Sequence, residues 1–256
     1  MKIATFNANS LRARIDIVVD WLNQNKPDIL CIQETKVQDH EFPYDQLDTT
    51  GYNYIFKGQK SYNGVAILSR HKIENASFGF DAEPYDKPRL ARASIKGINI
   101  VNTYVPQGRD IESEHYQYKL QWFQRLKDLF DKNFKPADPV IWLGDINVAP
   151  TDIDVYEPQT KLTNPCFHED VKKQFQDTIK WGFTDIFRLH NKNPEMYTFW
   201  DYRLPNSCKR NLGWRLDHIL ATKPLVKKST ACYIDKTPRL LDKPSDHTFL
   251  IAEFDV

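Results

Sequence analysis

The sequence predicts a mixed α/β fold in which two stacked β-sheets are flanked by helices. The first 34 residues already alternate strand, helix and strand, as a βαβ unit does. Further along, apolar runs typical of strands outnumber the amphipathic helices, which a single doubly wound sheet would not produce. The chain is 41% hydrophobic and contains no linker-like or repetitive segment, so we expect one domain over residues 1–256.

Composition and charge exclude several classes of protein. The formal net charge is +1, so a nucleic-acid partner would have to be bound by a local basic patch. The four cysteines are far apart and form no C-x-x-C pair, which argues against a disulfide framework or a zinc cluster. No signal-peptide core precedes the first strand, and no apolar run is long enough to cross a membrane. We expect a cytoplasmic protein without a membrane partner.

The first unit begins with a short apolar strand, Ile3–Phe6, that stops at Asn7. An amphipathic helix follows, with Ser10 as the expected N-cap and Lys26–Pro27 as its end. Its apolar residues recur with helical spacing at Leu11, Ile15, Val18, Val19 and Leu22. The next strand lies within Asp28–Glu34 and ends in a carboxylate.

Two strand pairs come next along the chain. Tyr52–Phe56 and Val65–Leu68 are predicted as strands on either side of a turn at Ser61–Gly64, and Arg92–Ile95 and Asn99–Val105 form the second pair. The remaining predicted elements are a helix at Tyr116–Phe130, a buried strand at Val140–Gly144, a polar loop at Ala149–Glu169, a helix through Val171, Phe175 and Ile179, and strands at Arg215–Ala221 and Phe249–Phe254.

Two polar side chains follow the buried strand Val140–Gly144. Asp145 and Asn147 are two residues apart, so their side chains fall on the same side of an extended chain. Active sites of α/β proteins tend to lie at this end of the strands, which indicates a catalytic role. The alternative is that Asp145 starts a turn or caps a helix.

Asp217 lies inside an otherwise apolar strand, where an unpaired carboxylate would be costly. A histidine is the expected partner, because a buried aspartate both orients an imidazole and stabilises its charged form. His247 is one candidate and His218 is the other. The alternative is that Asp217 accepts hydrogen bonds from backbone amides.

Oxygen-bearing side chains recur at the ends of other predicted strands, at Asn7, Asn9, Glu34 and Asp246. Such ligands favour Mg²⁺ or Mn²⁺ over zinc. The sequence has no P-loop and no G-x-S-x-G motif. A hard cation, a carboxylate, a carboxamide and a histidine together favour attack of water on a phosphodiester. In this hypothesis Asp145 takes the proton of the water, and Asn147 holds the water or a phosphate oxygen.

Seven segments carry a resemblance to a known family. They are Phe6–Arg12, Pro27–Lys36, Tyr62–Ala66, Asn102–Gly108, Gly144–Asn147, Gly213–Asp217 and Ser245–His247. In this order they resemble the motifs of the exonuclease III family of abasic-site (AP) endonucleases, in the endonuclease-exonuclease-phosphatase superfamily. The match extends over nearly the whole chain. The resemblance implies a four-layered α/β sandwich of two mixed β-sheets flanked by helices.

The resemblance also implies an activity. Family members degrade double-stranded DNA from 3′ ends, clean blocked 3′ ends and incise 5′ to abasic sites in base-excision repair. We therefore expect a monomeric phosphodiester hydrolase that uses Mg²⁺ or Mn²⁺ and acts on double-stranded DNA at abasic sites, nicks and 3′ ends. The alternatives are a 3′-end-specific exonuclease and phosphatase with little internal AP endonuclease activity, a superfamily phosphodiesterase for another phosphoester, and a DNA-binding module without catalysis.

By motif position, the resemblance implies a role for each polar residue at the strand ends. The metal-site residues are Asn7, Glu34 and Asp246, with Glu34 as the principal ligand. The catalytic residues are Tyr104, Asp145, Asn147, Asp217 and His247. Tyr104 is the alternative to Asp145 as the activator of water. The resemblance favours His247 over His218 as the partner of Asp217, and it leaves open whether one or two metal ions act.

The residues with DNA-binding roles by the same resemblance are Asn9, Arg89, Asn164, Phe199, Trp214 and Leu216. The last three correspond to an apolar pocket that receives a flipped abasic sugar, although aromatic residues are also typical of a core. Four basic residues with no acidic residue between them are candidates for phosphate contact or for a solvated face. They are Arg203, Lys209, Arg210 and Arg215.

Two departures from the family pattern bear on the substrate. Lys161 stands where some members have asparagine, and Asn164–Phe167 reads Asn-Pro-Cys-Phe in place of an Asn-x-Gly-Phe type of segment. A bulkier segment here would favour nicks and 3′ ends over internal abasic sites. The whole hypothesis requires Glu34, Asp145 and His247 to line one cleft.

Overall fold

Two β-sheets of six strands each pack face to face, and helices cover their outer faces. The computed structural model describes residues 1–256. The core between the sheets contains 21 buried residues, among them Ile3 and Ile67 from the first sheet and Ile100 and Leu143 from the second. The predicted four-layered α/β sandwich of two mixed sheets is confirmed.

The helices are α1 (Ile15–Asn25), α2 (Tyr44–Asp48), α3 (Glu114–Asn133), α4 (Glu169–Ile179), α5 (Ile186–His190) and α6 (Lys223–Val226). The strands are β1 (Lys2–Asn7), β2 (Ile29–Gln33), β3 (Asn53–Lys57), β4 (Val65–Ser69), β5 (Glu74–Phe78), β6 (Leu90–Ile95), β7 (Ile98–Tyr104), β8 (Val140–Asp145), β9 (Phe183–Asp185), β10 (Asp217–Thr222), β11 (Ser229–Asp235) and β12 (Phe249–Phe254). The strand order is β11-β12-β1-β2-β4-β3 in the first sheet and β5-β6-β7-β8-β10-β9 in the second.

Amphipathic helices form the two outer layers because each buries one apolar face against a sheet. Helix α1 packs Val18, Trp21 and Leu22 on the first sheet. Helices α3 and α4 cover the second sheet, where Trp122 of α3 packs in the same cluster as Trp142 of β8. None of the helices combines the length and the apolar character that a bilayer-spanning helix requires.

The sequence did not predict strands β5, β9 and β11. All three lie at the edge of a sheet. Strands β5 and β11 keep most of their side chains at least partly exposed, and β9 has only three residues, so none of them shows the apolar run or clean alternation of an inner strand.

The prediction of Ser10 as a helix N-cap is wrong. Helix α1 begins at Ile15, after a 3₁₀ turn at Arg12–Arg14, and its N-terminus has no side-chain cap. Ser10 instead has a φ of 91°, and its backbone N–H donates to the carbonyl oxygen of Glu34 at 2.8 Å. The polar segment after β1 therefore contacts the segment after β2. The predicted helix end is confirmed, because Lys26 adopts the left-handed conformation of a C-cap.

Candidate active site

The strand register brings polar residues of the second sheet together at one edge. Strand β7 runs parallel to β8 with Tyr104 opposite Asp145. Strand β10 runs antiparallel on the other side of β8, and its first residue, Asp217, is also opposite Asp145. Asp145 therefore lies between a phenol and a second carboxylate, at the carboxyl end of a buried strand.

The first sheet adds its own strand ends to the same edge. Strands β1 and β2 are parallel with Asn7 opposite Gln33, so Asn7 and Glu34 emerge side by side. Side chains from both sheets, including Glu34, Asp145 and His247, line a single cavity of about 630 Å³. The expected convergence of these three residues on one cleft is therefore observed.

Asp145 is 1% exposed and is held in place by three neighbours. Its Oδ2 accepts a hydrogen bond from Asn7 Nδ2 at 2.9 Å, and its Oδ1 accepts one from the backbone N–H of Asn147 at 3.0 Å. His247 Nε2 lies 3.8 Å from Oδ2. Burial raises the pKa of Asp145 to about 7, with Asp217 and Glu34 adding to the effect while His247 and Asn7 oppose it. A buried carboxylate with this pKa can accept a proton near neutral pH.

His247 and Asp217 form a buried pair. The Nδ1–H of His247 donates to Asp217 Oδ2 at 2.8 Å, which leaves Nε2 facing Asp145. Asp217 Oδ1 is buried without a hydrogen-bond partner, and no backbone amide donates to this carboxylate. Burial alone would lower the pKa of His247, but the negative charges of Asp217 and Asp145 raise it well above its usual value. The imidazole is therefore charged at neutral pH.

His218 belongs to a different network. Its Nε2 lies 2.8 Å from the carbonyl oxygen of Val148, and its Nδ1 lies 2.9 Å from Arg215 Nη1. Because a carbonyl can only accept, Nε2 carries the proton and Nδ1 accepts from the arginine. His218 thus has no free nitrogen for Asp217, and its ring is buried away from the cavity.

Glu34 offers carboxylate oxygens to the cavity from a strained backbone position, with a φ of 49°. Its Oε1 accepts from Asn7 Nδ2 at 3.1 Å, and its Oε2 lies 2.8 Å from Lys36 Nζ. Burial would raise the pKa of Glu34, but the Lys36 ammonium and hydrogen bonds from Lys36, Tyr104 and Asn7 lower it below its usual value. Glu34 is therefore negatively charged at neutral pH.

These residues fit a hard divalent cation. Glu34 and Asp246 both present carboxylates to the cavity, and the Lys36 ammonium beside Glu34 indicates that positive charge is stabilised there. Asn7 fits the ligand role less well, because its Oδ1 already accepts the backbone N–H of Asn9 at 2.9 Å. Asn9 in turn donates from Nδ2 to Asp246 Oδ1 at 3.0 Å. Asn7 and Asn9 thus orient the carboxylates.

A second group of possible ligands lies deeper in the cleft. One ligand atom from each of Asp145, Asp217 and His247 lies within 4.8 Å of the others, close enough to hold a metal ion. Because Nδ1 is bonded to Asp217 and the imidazole is charged, a cation there would have to displace the proton of His247 Nε2.

A sequence model of the Endonuclease/Exonuclease/phosphatase family matches residues 4–247. The chain belongs to this family. An exodeoxyribonuclease III from Haemophilus influenzae is 30% identical to it over 267 residues, which cover 99% of the chain and 100% of that relative. A solved AP endonuclease from Archaeoglobus fulgidus is 50% identical with a TM-score of 0.98, and a 3′ phosphatase, NExo, from Neisseria bound to a product DNA hairpin is 36% identical with a TM-score of 0.95. Both alignments cover 100% of each chain. The predicted family and the predicted class, a hydrolytic nuclease, are confirmed.

The cavity of this nuclease has an apolar side next to Asp145 and His247. Phe199, Trp214 and Leu216 line it, with the Phe199 ring centred 4.9 Å from that of His247. Trp214 and Leu216 are only 7% and 5% exposed and pack in a small core cluster with Phe167. The side chains are thus mostly buried, as in a core, and they also line the cavity; their role in binding a sugar stays a prediction. Asn164 lines the same cavity.

Arg89 lies behind Tyr104. Its Nη1 donates to the carbonyl oxygen of Tyr104 at 3.1 Å, and its guanidinium lies 4.7 Å from the centre of the tyrosine ring. Burial, with the charges of Glu34 and Asp145, raises the pKa of Tyr104 well above its usual value. The phenol of the nuclease therefore keeps its proton and acts as a hydrogen-bond donor.

The suggestion that Arg215 contacts phosphate is wrong. Arg215 is 0% exposed, and it forms ion pairs with Asp154 at 2.6 Å and Asp185 at 2.8 Å. In the sequence Arg215 follows Arg210 in a run without acidic residues. In the structure it lies in the buried segment just before β10. Arg203 is exposed and paired with Asp201. Lys209 and Arg210 remain exposed.

Sequence reasoning missed three polar groups beneath the active site of the nuclease. Lys119 is fully buried against the segment after β8 that carries Asn147, and Gln33 and Asn102 form a buried hydrogen bond of 2.7 Å between the two sheets. The sequence carried one signal for Lys119: it falls four residues before Phe123 on the apolar face of a helix. The pairing of Gln33 with Asn102 depends on how the sheets stack, which no local pattern encodes.

Proposed function

We propose that the protein is a divalent-metal-dependent DNA phosphodiester hydrolase of base-excision repair. It would act as a 3′-to-5′ exodeoxyribonuclease on double-stranded DNA, clean 3′ ends and incise 5′ to abasic sites. One observation carries this proposal: a single cavity joins a carboxylate pair suited to a hard cation, a buried Asp145 with a raised pKa, a charged His247 and an apolar pocket. The names of its relatives, exodeoxyribonuclease III, AP endonuclease and 3′ phosphatase, support it.

The cation would be Mg²⁺ or Mn²⁺, held by Glu34 and Asp246 with Asn7 and Asn9 orienting those carboxylates. When bound, it neutralises negative charge on the phosphate. Oxygen donors support these ions over zinc, which prefers nitrogen and sulfur ligands.

The protein's own side chains divide the remaining work. Asp145 takes a proton from the attacking water, because burial raises its pKa to about 7 and makes it a stronger base. Asn147 Nδ2 donates to the carbonyl oxygen of Val105 at 2.9 Å. This hydrogen bond fixes the orientation of the Asn147 carboxamide beside Asp145. Protonated His247 and the neutral phenol of Tyr104 donate hydrogen bonds to phosphate oxygens and so stabilise developing charge. The raised pKa of Tyr104 favours Asp145 over Tyr104 as the base.

The apolar side of the cavity would accept a sugar without a base. Phe199, Trp214 and Leu216 offer an apolar surface next to His247, and a normal base would be excluded by size. Asn164 adds a polar contact at this side, while Arg89 acts through Tyr104. Exposed Lys209 and Arg210 are the candidates for contact with the DNA backbone. We also infer that residues 1–256 form one domain that acts as a monomer in the reducing cytoplasm, consistent with four free cysteines.

The alternative is an enzyme specialised for 3′ ends with little activity on internal abasic sites. Two observations favour it. Lys161 lines the cavity and lies 4.4 Å from the ring centre of Tyr156, next to the pocket, and the Asn164–Phe167 segment presents Cys166 to the cavity. Both side chains are larger than the asparagine and glycine of the family pattern and would leave less space for an internal nucleotide, and the relative from Neisseria is a 3′ phosphatase.

The deciding experiment compares one preparation on four substrates: a duplex with an internal abasic site, a nick with a 3′-phosphate, an undamaged duplex end and a phosphoinositide. We expect Mg²⁺-dependent cleavage of the DNA substrates, abolished to background by Asp145→Asn with DNA affinity retained. Cleavage restricted to 3′ substrates would select the alternative. Activity on the lipid headgroup alone would refute the DNA-repair function.

A further inference from the structure

Lys119 is a fully buried lysine that forms no salt bridge. It lies in the first half of α3 at 0% exposure, and its ammonium donates to three backbone carbonyl oxygens: Gln107 at 3.1 Å, Asn147 at 2.7 Å and Pro165 at 2.8 Å. An ammonium group has three N–H donors, so all of them are used. Burying a charge is costly unless it is fully hydrogen-bonded, and burial lowers the pKa of Lys119. A leucine at this position of the apolar face would avoid that cost.

The three carbonyl groups belong to three different segments of the cavity lining. Gln107 follows β7, Asn147 follows β8, and Pro165 lies between the cavity-lining residues Asn164 and Cys166. These segments are far apart in sequence. The first two follow the neighbouring strands β7 and β8, and the backbone N–H of Ala149 donates to the carbonyl oxygen of Cys166 at 2.8 Å. The Lys119 ammonium group therefore joins the segments after β7 and β8 to the Asn164–Phe167 segment.

Asn147 is the one of these three residues that lies next to Asp145, and its backbone and side chain are both held by hydrogen bonds. It has a φ of 54°, in the left-handed region that is unfavourable for most residues. Its N–H donates to Asp145 Oδ1 and its Nδ2 to the carbonyl oxygen of Val105, both within the catalytic edge. Two contacts join it to the Asn164–Phe167 segment: the Lys119 ammonium, which binds its carbonyl oxygen and that of Pro165, and Cys166 Sγ, which lies 3.8 Å from its Oδ1.

We propose that Lys119 is a positioning residue that sets the separation of Asn147 from the Asn164–Phe167 segment, and with it the orientation of the Asn147 carboxamide toward the reacting phosphate. The inference rests on the proposed function, because it assigns a consequence to the position of Asn147. A residue that only stabilised the fold would lower stability without a selective effect on turnover.

The test compares Lys119→Met with Lys119→Arg and with Leu126→Ala, a matched control. Leu126 is also 0% exposed on α3 but packs only in the apolar cluster under the second sheet. We expect Lys119→Met to reduce kcat by about 10²-fold on abasic and 3′-phosphate substrates with KM nearly unchanged, as small displacements of catalytic groups do. Lys119→Arg retains the charge and the donors, so its kcat should be at least about tenfold higher than that of Lys119→Met. Leu126→Ala should lose stability but keep its kcat.

A second readout needs no DNA. Amide hydrogen exchange, measured by mass spectrometry, should accelerate in residues 145–149 and 164–168 of Lys119→Met and not in Leu126→Ala. Equal losses of kcat in the two variants, or unchanged exchange in both segments, would overturn the proposal. A wild-type protein inactive on every DNA substrate would refute the proposed function, while the exchange comparison would still decide the role of Lys119. Should Lys119→Met not fold, Lys119→Gln, with two donors instead of three, carries the same expectations.

Discussion

At the scale of single residues, the site assigns opposite tasks to groups that lie close together. Asp145 Oδ2 and His247 Nε2 are 3.8 Å apart. Burial and neighbouring carboxylates make Asp145 a better base, whereas Asp217 keeps His247 charged and therefore an acid and hydrogen-bond donor. The environment of each group, more than its chemical type, thus decides which one accepts a proton and which one donates.

The role of Asp217 gives a prediction with a pH dependence. Asp217 raises the pKa of His247, so Asp217→Asn should lower that pKa and leave the imidazole neutral over more of the neutral range. We expect kcat to fall by about 10²-fold at neutral pH. The deficit should grow as pH rises and shrink as pH falls, because low pH restores the charged imidazole.

Measurement of kcat for both proteins from pH 6 to pH 9, with Asp255→Asn as an exposed control, checks this prediction. A deficit that stays constant over the whole range would show that Asp217 does not act through the charge of His247.

The metal-site residues give a second prediction at this scale. Glu34→Gln removes the charge of the principal candidate ligand while retaining its size, so the Mg²⁺ concentration for half-maximal activity should rise by about tenfold or more. Titration of Mg²⁺ against initial rate measures this shift, and Glu41→Gln, on the surface, is the control. An unchanged requirement would move the cation to the group formed by Asp145, Asp217 and His247.

At the scale of elements, the sequence predicts the polar residues at the strand ends but not the edge strands. Asn7, Glu34, Tyr104 and Asp145 follow apolar runs, so local pattern located them at one edge of the sheets. The edge strands β5 and β11 were missed because exposure removes the pattern, and β9 was missed because it has only three residues. The buried contacts of Arg215 and Asn102 were also missed, because the partners of these residues lie far away along the chain.

The inter-sheet contact of Asn102 leads to a prediction about stability. Asn102 on β7 donates from Nδ2 to the carbonyl oxygens of Ile32 at 3.1 Å and Ala66 at 2.9 Å in the other sheet, and accepts from Gln33. Asn102→Leu would remove these three buried hydrogen bonds and should lower the free energy of unfolding by about 3 kcal/mol or more.

Urea unfolding measures this change. Asn99→Ala, on the same strand but half-buried and outside the sheet interface, should cost about 1 kcal/mol or less. Equal costs for the two substitutions would mean that the inter-sheet hydrogen bonds contribute little.

At the scale of the whole molecule, the active site depends on segments from both halves of the chain. Ser245 Oγ donates to the carbonyl oxygen of Asn7 at 2.7 Å, which joins the segment before β12 to the end of β1. On the other side, Arg215 binds Asp154 and Asp185, and Arg188 also binds Asp154. This buried ion cluster connects the loop after β8, strand β9, helix α5 and the segment that carries Trp214 and Leu216. The segment that carries Trp214 and Leu216 on the apolar side of the cavity is therefore held by ion pairs as well as by packing.

Removing the central cation of this cluster should destabilise the protein in a way that depends on pH. Burial would raise the pKa values of Asp154 and Asp185, but Arg215 lowers both, so in the wild type they stabilise the fold above about pH 4 and lose this effect as pH falls further. In Arg215→Met the same carboxylates are buried with less compensating charge. Their pKa values rise. The substitution should lower the free energy of unfolding by about 3–5 kcal/mol at pH 7, and this loss should shrink toward pH 4 as the carboxylates take up protons.

Urea unfolding at pH 7, 5.5 and 4 tests this prediction. The control is the exposed Arg203→Met, which should change stability by about 0.5 kcal/mol or less at each pH. A cost for Arg215→Met that is the same at all three values would mean that packing, and not charge, is what Arg215 contributes.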